Sequence, residues 1–475
     1  MEKDSNTNSI IKNEIQIILK TTLPEEYAIA NNIITVPSSY DSEKLSKLVK
    51  KLIKQKNDKK FSFFIENISL DTDINLFLQN NNSEINLKKI SETGLEIYYQ
   101  FELEEPKLIN TIKEDEWIRK ISSRLNQKFD KSNLEFFCVG LFNSEITIYN
   151  KKFEKILKIE DLNKDENYCE LLHDVLFFRP TYSQSDNNDS NTGILIRCSR
   201  NEDNNFEIFS VDLNRSSYNK IYVNKKQNSE YFNCLSLNPV DFSYFVAGDT
   251  EGNLKIFKIP EKSEIQTESL NAPNNTKTRP QKKRKTEYNF LEHETEIENC
   301  HGLNEIKIVK WINNRQLITA GDDFTVKLWN IGTKSNFASY NTNYKITTCM
   351  STIGTENDKF LTGHEDGTVK LWDTRIGSSS TSSPGNKIIS WNAHTNYVSD
   401  ISANPNTDFY TNNFATTGYD GNLKIWDVRQ NKNFVYEIRT DSEKNYAVAY
   451  NSSDYLMTGG DSSTLNIFEN KLGRE

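Results

Sequence analysis

The stretch GYDGNLKIWDVR, residues 418–429, decides the fold because the chain repeats it. It reads as a tight glycine turn followed by a strand in which Leu423 and Ile425 alternate with Asn422 and Lys424, and it ends in Trp-Asp. Close copies are GHEDGTVKLWDTR (363–375) and GDDFTVKLWN (321–330), and weaker copies are GDTEGNLKIF (248–257) and GGDSSTLNIF (459–468). A unit that recurs about every 40 to 45 residues in this form is typical of four-stranded propeller blades.

The aromatic residue near the end of each third strand counts the blades. These residues are Tyr149, Phe209, Phe257, Trp329, Trp372, Trp426 and Phe468. The differences between neighbouring positions are 60, 48, 72, 43, 54 and 42 residues, so the long steps contain insertions. Seven such residues predict a seven-bladed WD40 β-propeller over residues 116–475. The boundaries of blades one and two are the least well defined by this pattern, because their turns lack the Asp-Gly pair.

A different pattern precedes the repeats. Residues 1–13 are polar and are predicted to be disordered. Strand candidates at 14–20, 32–36, 61–65 and 95–101 surround a helical face at 41–55, formed by Leu45, Leu48, Val49, Leu52 and Ile53. The order predicts a small α+β ubiquitin-like domain over 14–101, so the chain as a whole is mainly β. Residues 102–115 are acidic and are predicted to be a linker that can also supply a closing strand.

Composition narrows the class of protein. The 475 residues carry a formal net charge of −9 and are 36% hydrophobic, which predicts a folded chain without a global basic signature for nucleic acid. No run approaches 18 apolar residues, and the start has no signal-peptide core, so no membrane partner is expected. The six cysteines lack metal-ligand spacing, which favours reduced thiols in the cytosol or nucleus.

Four residue types recur in the blades: a histidine before the first strand, a threonine on the second, an aspartate in the turn and a tryptophan on the third. Because buried polar groups are tolerated only when paired, we expect each complete set to be hydrogen bonded. The predicted structural residues are His293, Thr319, Asp323 and Trp329 in one blade, His394, Thr416, Asp420 and Trp426 in another, and Asp366, Trp372 and Asp461 elsewhere. His364 is expected in an exposed turn.

The same residues bear on catalysis. His394, Asp420 and Thr416 have the composition of a nucleophilic triad, but they fall at positions that another blade repeats, so we interpret them as framework. The sequence contains no histidine pair with metal-ligand spacing and no phosphate-binding glycine motif. We therefore expect no enzyme activity, no cofactor and no metal site of the chain's own.

One basic stretch stands out within the longest insertion, residues 260–288, which is polar, lacks periodicity and is predicted to be disordered. The sequence RPQKKRK contributes Arg279, Lys282, Lys283, Arg284 and Lys285. This composition predicts a nuclear import signal or a flexible contact with RNA phosphates. The alternative is a solvated charge run without a partner.

The order of these parts resembles one family. An N-terminal ubiquitin-like domain, an acidic segment ending in EDEWIRKI, seven blades and a basic insertion after blade three are similar to the WD-repeat ribosome-biogenesis factors of the PeBoW complex, the Ytm-type or WD-repeat-twelve proteins. The similarity is strongest at residues 90–99 (ISETGLEIYY), 115–121, the basic stretch ending KKRKTE, 371–378 (LWDTRIGS), 420–430 (DGNLKIWDVRQ) and 447–461.

The resemblance implies a non-catalytic scaffold for maturation of the large (60S) ribosomal subunit precursor and rRNA processing, in the nucleolus and nucleoplasm. The propeller would dock on the block-of-proliferation WD protein, which joins pescadillo. The ubiquitin-like domain would present Glu92 to the Mg²⁺ of midasin, an AAA ATPase that removes the factor from the pre-60S particle. An open position on such a hard cation accepts a carboxylate oxygen. Glu84 is the competing residue, because residues 70–89 are longer and richer in asparagine than the family pattern.

The alternative function is that of a WD-repeat substrate receptor in ubiquitin transfer. Against it, the chain has no diglycine tail and no F-box-like helical module before the blades. The sequence leaves direct contact with RNA open.

Overall fold

The computed structural model describes most of the chain, in segments separated by gaps. The described residues are 14–23, 25–30, 32–53, 59–66, 68–80, 94–123, 136–160, 171–178, 192–199, 204–225, 231–259, 289–354, 358–374, 387–405, 412–430, 434–451 and 455–469. No helix in these segments is long and apolar enough to cross a membrane.

The N-terminal α+β domain is built on a five-stranded sheet with the order β2-β1-β5-β3-β4. Its strands are β1 (Glu14–Lys20), β2 (Ile33–Pro37), β3 (Phe61–Ile65), β4 (Ile68–Ser69) and β5 (Leu95–Phe101). Its helices are a 3-10 turn (Glu25–Tyr27), α1 (Ser42–Ile53) and α2 (Ile74–Asn80). Because β1 and β5 pair in parallel at the centre, the first and last strands of the domain lie side by side.

Local chemistry explains the elements of this domain. Strand β1 alternates, so Ile17 and Leu19 point into the core. Helix α1 begins where the Asp41 carboxylate accepts the Lys44 N–H at 2.9 Å, and it buries Leu45 and Val49 against the sheet. The predicted strands and the predicted helix are therefore confirmed. Helix α2, which the sequence pattern did not reveal, begins at an equivalent cap in which Asp73 accepts the Leu76 N–H at 2.8 Å.

The described residues after this domain form seven further sheets, six of four strands and one of five. Blade one contains β7 (Ile118–Ser122), β8 (Phe136–Leu141), β9 (Ile146–Asn150) and β10 (Lys155–Ile159). Blade two contains β11 (Leu172–Phe178), β12 (Thr192–Ser199), β13 (Asn204–Asp212) and β14 (Ser217–Lys225), with β18 (Asn289–Phe290) on its edge. Blade three contains β15 (Phe232–Leu237), β16 (Tyr244–Asp249), β17 (Leu254–Lys258) and β19 (Thr295–Ile297).

The next three blades carry the three tryptophan repeats. Blade four contains β20 (Ile306–Asn313), β21 (Gln316–Gly321), β22 (Thr325–Asn330) and β23 (Ser335–Asn341). Blade five contains β24 (Thr347–Ile353), β25 (Lys359–His364), β26 (Thr368–Asp373) and β27 (Lys387–Asn392). Blade six contains β28 (Val398–Ala403), β29 (Asn413–Gly418), β30 (Asn422–Asp427) and β31 (Tyr436–Arg439).

Blade seven joins the two ends of the propeller. It contains β32 (Asn445–Tyr450), β33 (Tyr455–Gly460) and β34 (Thr464–Glu469), and its fourth strand is β6 (Lys107–Lys113), from the segment predicted as a linker. Strand β6 pairs antiparallel with β34 from Lys107↔Glu469 to Lys113↔Thr464. The last blade is therefore completed by residues that precede the first, which protects the edge of β34.

Cross-strand aromatic pairs fill the blade interiors. All seven predicted aromatic residues are buried on the third strand of a blade, which confirms the blade count. In four blades the ring stacks on a phenylalanine directly opposite on the second strand, as for Phe414 and Trp426, whose ring centroids are 5.9 Å apart. Such pairs strengthen a sheet beyond the area that they bury.

The N-terminal domain contacts blade six. The Arg429 guanidinium lies 3.6 Å from the centroid of the Phe64 ring, and the Ser69 N–H donates to the Arg429 carbonyl at 3.2 Å. Leu103 packs against Tyr436, whose hydroxyl donates to the Leu103 carbonyl at 2.8 Å. Asp427 accepts two hydrogen bonds from Arg429, at 2.8 and 2.5 Å, and so holds that side chain against the domain.

Candidate functional site in the blade networks and partner-facing residues

Blade six contains the complete predicted set as one hydrogen-bonded chain. His394, in the loop before β28, lies with Nδ1 2.9 Å from an Asp420 carboxylate oxygen and with Nε2 2.8 Å from Thr416 Oγ1. The Trp426 Nε1–H donates to the same hydroxyl at 2.9 Å. The polar atoms satisfy one another when Trp426 donates to Thr416, Thr416 donates to His394 and His394 donates to Asp420.

Electrostatics favour the ionised aspartate at the end of this chain. Burial opposes the charge of Asp420, but hydrogen bonds from His394 and from the backbone N–H groups of Thr395 and Asn422 outweigh it. Together they lower the pKa of Asp420 to about 2. The turn, the entering loop and the third strand are thereby fixed to one another.

Blade four has the same network, but with His301 as the histidine. His301 Nδ1 lies 2.8 Å from Asp323, its Nε2 lies 2.7 Å from Thr319 Oγ1, and the Trp329 Nε1–H donates to Thr319 at 2.9 Å. The prediction of His293 was therefore wrong. His293 lies before β19 of blade three, 3.4 Å from Glu296 and edge-on to Phe257.

The spacing within the repeat explains that error. His394 stands four residues before Val398, the first residue of its blade, and His301 stands five before Ile306. The distance from histidine to threonine differs, because the hairpin after β28 is long and the hairpin after β20 has two residues. The useful sequence signal was thus the number of residues from the histidine to the first strand of the blade, which is four or five. His293 does not stand at this distance from Ile306, the first residue of blade four.

Blade five keeps the tryptophan and threonine but draws its histidine from the second strand. The Trp372 Nε1–H donates to Thr362 Oγ1 at 2.8 Å, and that hydroxyl lies 2.9 Å from His364 Nε2. His364 is fully buried, so the expectation of an exposed turn was wrong. Burial, followed by the charge of Lys370, lowers its pKa to about 3. Asp366 instead accepts hydrogen bonds from Thr368 within the turn.

Blade seven uses its turn aspartate differently. Both carboxylate oxygens of Asp461 lie 3.2 Å from the Lys444 backbone nitrogen, so Asp461 holds the loop that enters the blade. Phe468 occupies the third-strand position that tryptophan has in blades four to six, and it offers no N–H to a second-strand hydroxyl.

Blades one and two replace the histidine network with other buried polar groups. In blade one, Glu114 is buried and accepts the Tyr149 hydroxyl at 2.5 Å. In blade two, Arg197 donates to Glu207 at 3.0 Å and to the Ser144 carbonyl at 3.0 Å. The pKa of Glu207 is lowered, because the charges of Arg197 and Lys220 outweigh the effect of burial. Sequence analysis missed these groups since neither matches the repeat.

The geometry explains why these networks are framework. A nucleophile needs access to its substrate, but Thr416 and Thr319 have no exposed surface and each hydroxyl already accepts a tryptophan N–H. Among the described residues, no group of three or more histidine, cysteine or carboxylate side chains is arranged to hold a metal ion. The arrangement positions turns and loops.

The residues predicted to contact partners fall in the gaps. Glu92 and its competitor Glu84 belong to residues 81–93, and Arg279, Lys282, Lys283, Arg284 and Lys285 belong to 260–288, so all lie outside the described residues. The first of these segments follows α2 and ends at Gly94, which has a φ of +85°. Strand β5 begins one residue later. Glu92 therefore stands two residues before Gly94 in the sequence.

Comparison with known families matches both parts of the chain. A model of the NLE (NUC135) domain matches residues 15–78, and a model of the WD domain, G-beta repeat, matches 294–330, 339–373 and 385–427. The WD matches cover the third strands of blades four, five and six, whose tryptophans donate to a second-strand threonine. The matched repeats are thus the ones that retain this buried bond.

Comparison with individual proteins finds relatives of one kind. The chain is 27% identical over 157 residues to ribosome biogenesis protein YTM1 of Scheffersomyces stipitis, covering 31% of this chain and 32% of that protein. It is 24% identical over 244 residues to the ribosome biogenesis protein WDR12 homolog of Ixodes scapularis, covering 50% and 54%. It is 24% identical over 166 residues to the homolog in Drosophila pseudoobscura pseudoobscura, covering 35% and 37%. The matches span about a third to a half of these relatives.

Proposed function

We propose that this chain, a member of the family of ribosome biogenesis proteins that includes YTM1 and WDR12, is a non-catalytic assembly factor for precursors of the large ribosomal subunit. The observation that carries the proposal is the domain order. An NLE domain at residues 15–78 is joined through β6 to a propeller whose matched relatives bear ribosome biogenesis names. The buried polar networks support a scaffold, because they fix loops and leave no accessible nucleophile among the hydroxyls that they contain.

The propeller is the docking part of this proposal. A seven-bladed ring offers two broad faces and short blade edges as binding surfaces. Binding of partner proteins to these surfaces requires no active site. We assign the block-of-proliferation WD protein to the propeller, with pescadillo joined through it to the pre-60S particle. Maturation of the particle and processing of its rRNA would then depend on this scaffold rather than on catalysis by the chain.

In this proposal the N-terminal domain mediates release of the factor from the pre-60S particle. Glu92 would complete the oxygen shell of a Mg²⁺ held by midasin, whose ATPase activity removes the factor. Glu92 precedes Gly94 by two residues and strand β5 by three, and a carboxylate placed just before a strand is suited to contact with a partner. The Mg²⁺ belongs to the partner, and this chain supplies one ligand.

The proposed location is the nucleolus and nucleoplasm. The basic residues from Arg279 to Lys285 supply a nuclear import signal in this account. Imaging of a fluorescently tagged chain that lacks residues 279–285 is expected to show cytoplasmic signal, while a chain that lacks only residues 268–274 from the same insertion keeps its nucleolar signal. Unchanged nucleolar signal in the first variant would show that import depends on other residues or on a partner.

Affinity purification with mass spectrometry tests the function as a whole. A tagged full-length chain is expected to recover large-subunit precursors together with the block-of-proliferation protein and pescadillo. Recovery of cullin components without ribosomal proteins would contradict the proposal and favour the alternative, a substrate receptor in ubiquitin transfer.

A further inference from the structure

One end of the propeller carries a row of aromatic side chains. In an antiparallel blade, the start of the first strand and the turn between the second and third strands lie at the same end, which we call the entry face. Five aromatic residues of blades one, six and seven lie there and form what we call the aromatic arc. The arc consists of Trp117, Phe142, Tyr397, Tyr419 and Tyr446.

The rings of the arc touch in sequence across the three blades. Trp117 meets Phe142 edge-on at 5.8 Å and stacks on Tyr446 at 6.3 Å between ring centroids. Tyr446 meets Tyr419 at 5.5 Å, and Tyr419 stacks on Tyr397 at 5.5 Å. Trp117 and Tyr397 are exposed, by 45% and 43%. Connected aromatic rings with accessible members are typical of an interaction surface.

Trp117 differs from the other tryptophans of the chain. The five others, Trp311, Trp329, Trp372, Trp391 and Trp426, lie in blade interiors and are at most 6% exposed. The indole of Trp117 packs on Phe142 and Tyr446 on one side, and 45% of its residue surface stays exposed. A large amphipathic ring in this position is suited to contact with another molecule.

The charges around the arc select the kind of molecule. Within the described segments, four carboxylates in the neighbouring loops and turns make no salt bridge: Glu116, Asp441, Glu443 and Asp461. Glu116 accepts the Trp117 N–H at 2.9 Å, and Asp461 accepts the Lys444 N–H at 3.2 Å. Two of the nearby cations are engaged by the arc itself, and two others, Arg439 and Lys113, donate to the backbone carbonyls of Asp420 and Ser462. Arg119 lies 5.6 Å from the centre of the Phe142 ring, and Lys444 lies 5.8 Å from the centre of the Tyr419 ring.

These charges favour a basic ligand. A nucleic acid would bring phosphates towards these carboxylates, whose charge no cation in the described part of the chain neutralises, and this opposes binding, although its bases could stack on the rings. Arginine and lysine side chains of a protein are attracted both by the rings and by the carboxylates, because they stack on aromatic faces and form ion pairs. The internal contacts of Arg119 and Lys444 show that rings of the arc accommodate cations in this way.

We propose that the aromatic arc binds an arginine- and lysine-containing segment of a partner protein, whose cationic side chains stack on Trp117 and Tyr397 and pair with the surrounding carboxylates. The proposal deepens the docking role given above and rests on it, since it assigns a face of the propeller and a ligand chemistry to that role. Binding is expected to weaken as the salt concentration rises.

The test uses the purified full-length chain and a short peptide of alternating arginine and glycine. Because the exposed tryptophan is Trp117, its long-wavelength emission reports on binding at the arc. We expect a saturable change in this emission with the arginine peptide, and none with a glutamate peptide of the same length or with oligouridine. Calorimetry gives the affinities of variants that lack the indole.

Variants separate the arc from the rest of the entry face. Trp117→Ala and Tyr397→Ala are each expected to weaken peptide binding about tenfold, the effect of one cation–π contact. Glu443→Lys, which removes no ring, is expected to weaken it similarly through charge alone. The control is Tyr344→Ala, since Tyr344 is 78% exposed on the same face but lies outside the arc. Thermal melting shows whether each variant is folded.

Each outcome decides the proposal. Loss of affinity in Trp117→Ala, Tyr397→Ala and Glu443→Lys, with full affinity in Tyr344→Ala, supports it. Unchanged affinity in the folded arc variants, absence of peptide binding to the unmodified chain, or tighter binding of oligouridine overturns it. Recovery of pre-60S particles by a chain that does not bind the peptide would overturn this inference and leave the proposed function standing.

Discussion

Thr416 is the residue on which the blade six network depends, because its hydroxyl serves two partners at once. It lies 2.8 Å from His394 Nε2 and accepts the Trp426 Nε1–H at 2.9 Å, with no exposed surface. The repeat in blade four has the same geometry around Thr319. A change that keeps the shape and removes the oxygen therefore measures the network directly.

We expect Thr416→Val to lower the free energy of unfolding by about 2–3 kcal/mol, because it leaves two buried polar groups unpaired. Chemical denaturation of the full-length chain is the measurement. The matched control is Thr417→Val on the next residue, which is equally buried but accepts only the Ser399 hydroxyl, at 3.1 Å, and should cost about 1 kcal/mol. Equal losses in the two variants would refute the network.

His364 predicts a dependence of stability on pH. Burial lowers the pKa of His364 to about 3, below its ordinary value of 6.5. The unfolded chain therefore takes up this proton first as the pH falls, so the stabilisation is complete above pH 6.5 and is lost as the pH falls towards 3. The thermal midpoint of His364→Gln should fall less steeply than that of the unmodified chain between pH 7 and pH 4.

The control for this measurement is His293→Gln, since His293 is partly exposed and belongs to no blade network. Its profile should keep the steep fall that the buried His364 causes. A His364→Gln profile that falls equally steeply would show that the neutral form of His364 contributes nothing to folding.

At the scale of the element, strand β6 closes the propeller. Its pairing with β34 spans Lys107↔Glu469 to Lys113↔Thr464 and includes a bulge opposite Ile467 and Phe468. Without β6, the edge of β34 and the apolar side of the last blade would be exposed to solvent. The segment predicted as a linker thus contributes a complete strand, together with Glu114, which is buried in blade one.

Two shortened chains test the contribution of β6. A chain of residues 104–475 keeps the strand, and a chain of residues 114–475 lacks it but keeps Glu114, so both lack the N-terminal domain. We expect the shorter chain to melt at least about 5 °C lower and to exchange the amide hydrogens of β34 faster, because β34 loses its outer neighbour. Equal melting temperatures and equal exchange would show that β6 does not stabilise the ring.

The element scale also shows what the sequence could predict. The turn-strand-aromatic repeat predicted the third strand of all seven blades, because burial of one aromatic residue per blade is a local requirement. The same reasoning did not identify His301, because the distance from the histidine to the threonine varies between blades, or Glu114, because it has no counterpart in the repeat. Helix α2 was missed because only seven residues form it, too few for a helical period to emerge.

At the scale of the whole molecule, the N-terminal domain rests against blade six. Arg429 stacks on Phe64, and Tyr436 holds Leu103, so the contact joins the side of the sheet that carries β3 and β4 to the blade. This arrangement couples the two parts of the proposed function. A pull applied at the N-terminal domain would act on blade six and on β6, the strand that closes the ring.

The most direct test of the account is binding of the isolated adhesion domain of midasin to the full-length chain in the presence of Mg²⁺. We predict that Glu92→Ala leaves the melting temperature unchanged, abolishes this binding and still recovers large-subunit precursors, while Glu84→Ala binds like the unmodified chain. Chelation of Mg²⁺ should have the same effect on binding as the loss of Glu92. Undiminished, Mg²⁺-dependent binding by Glu92→Ala would contradict the account.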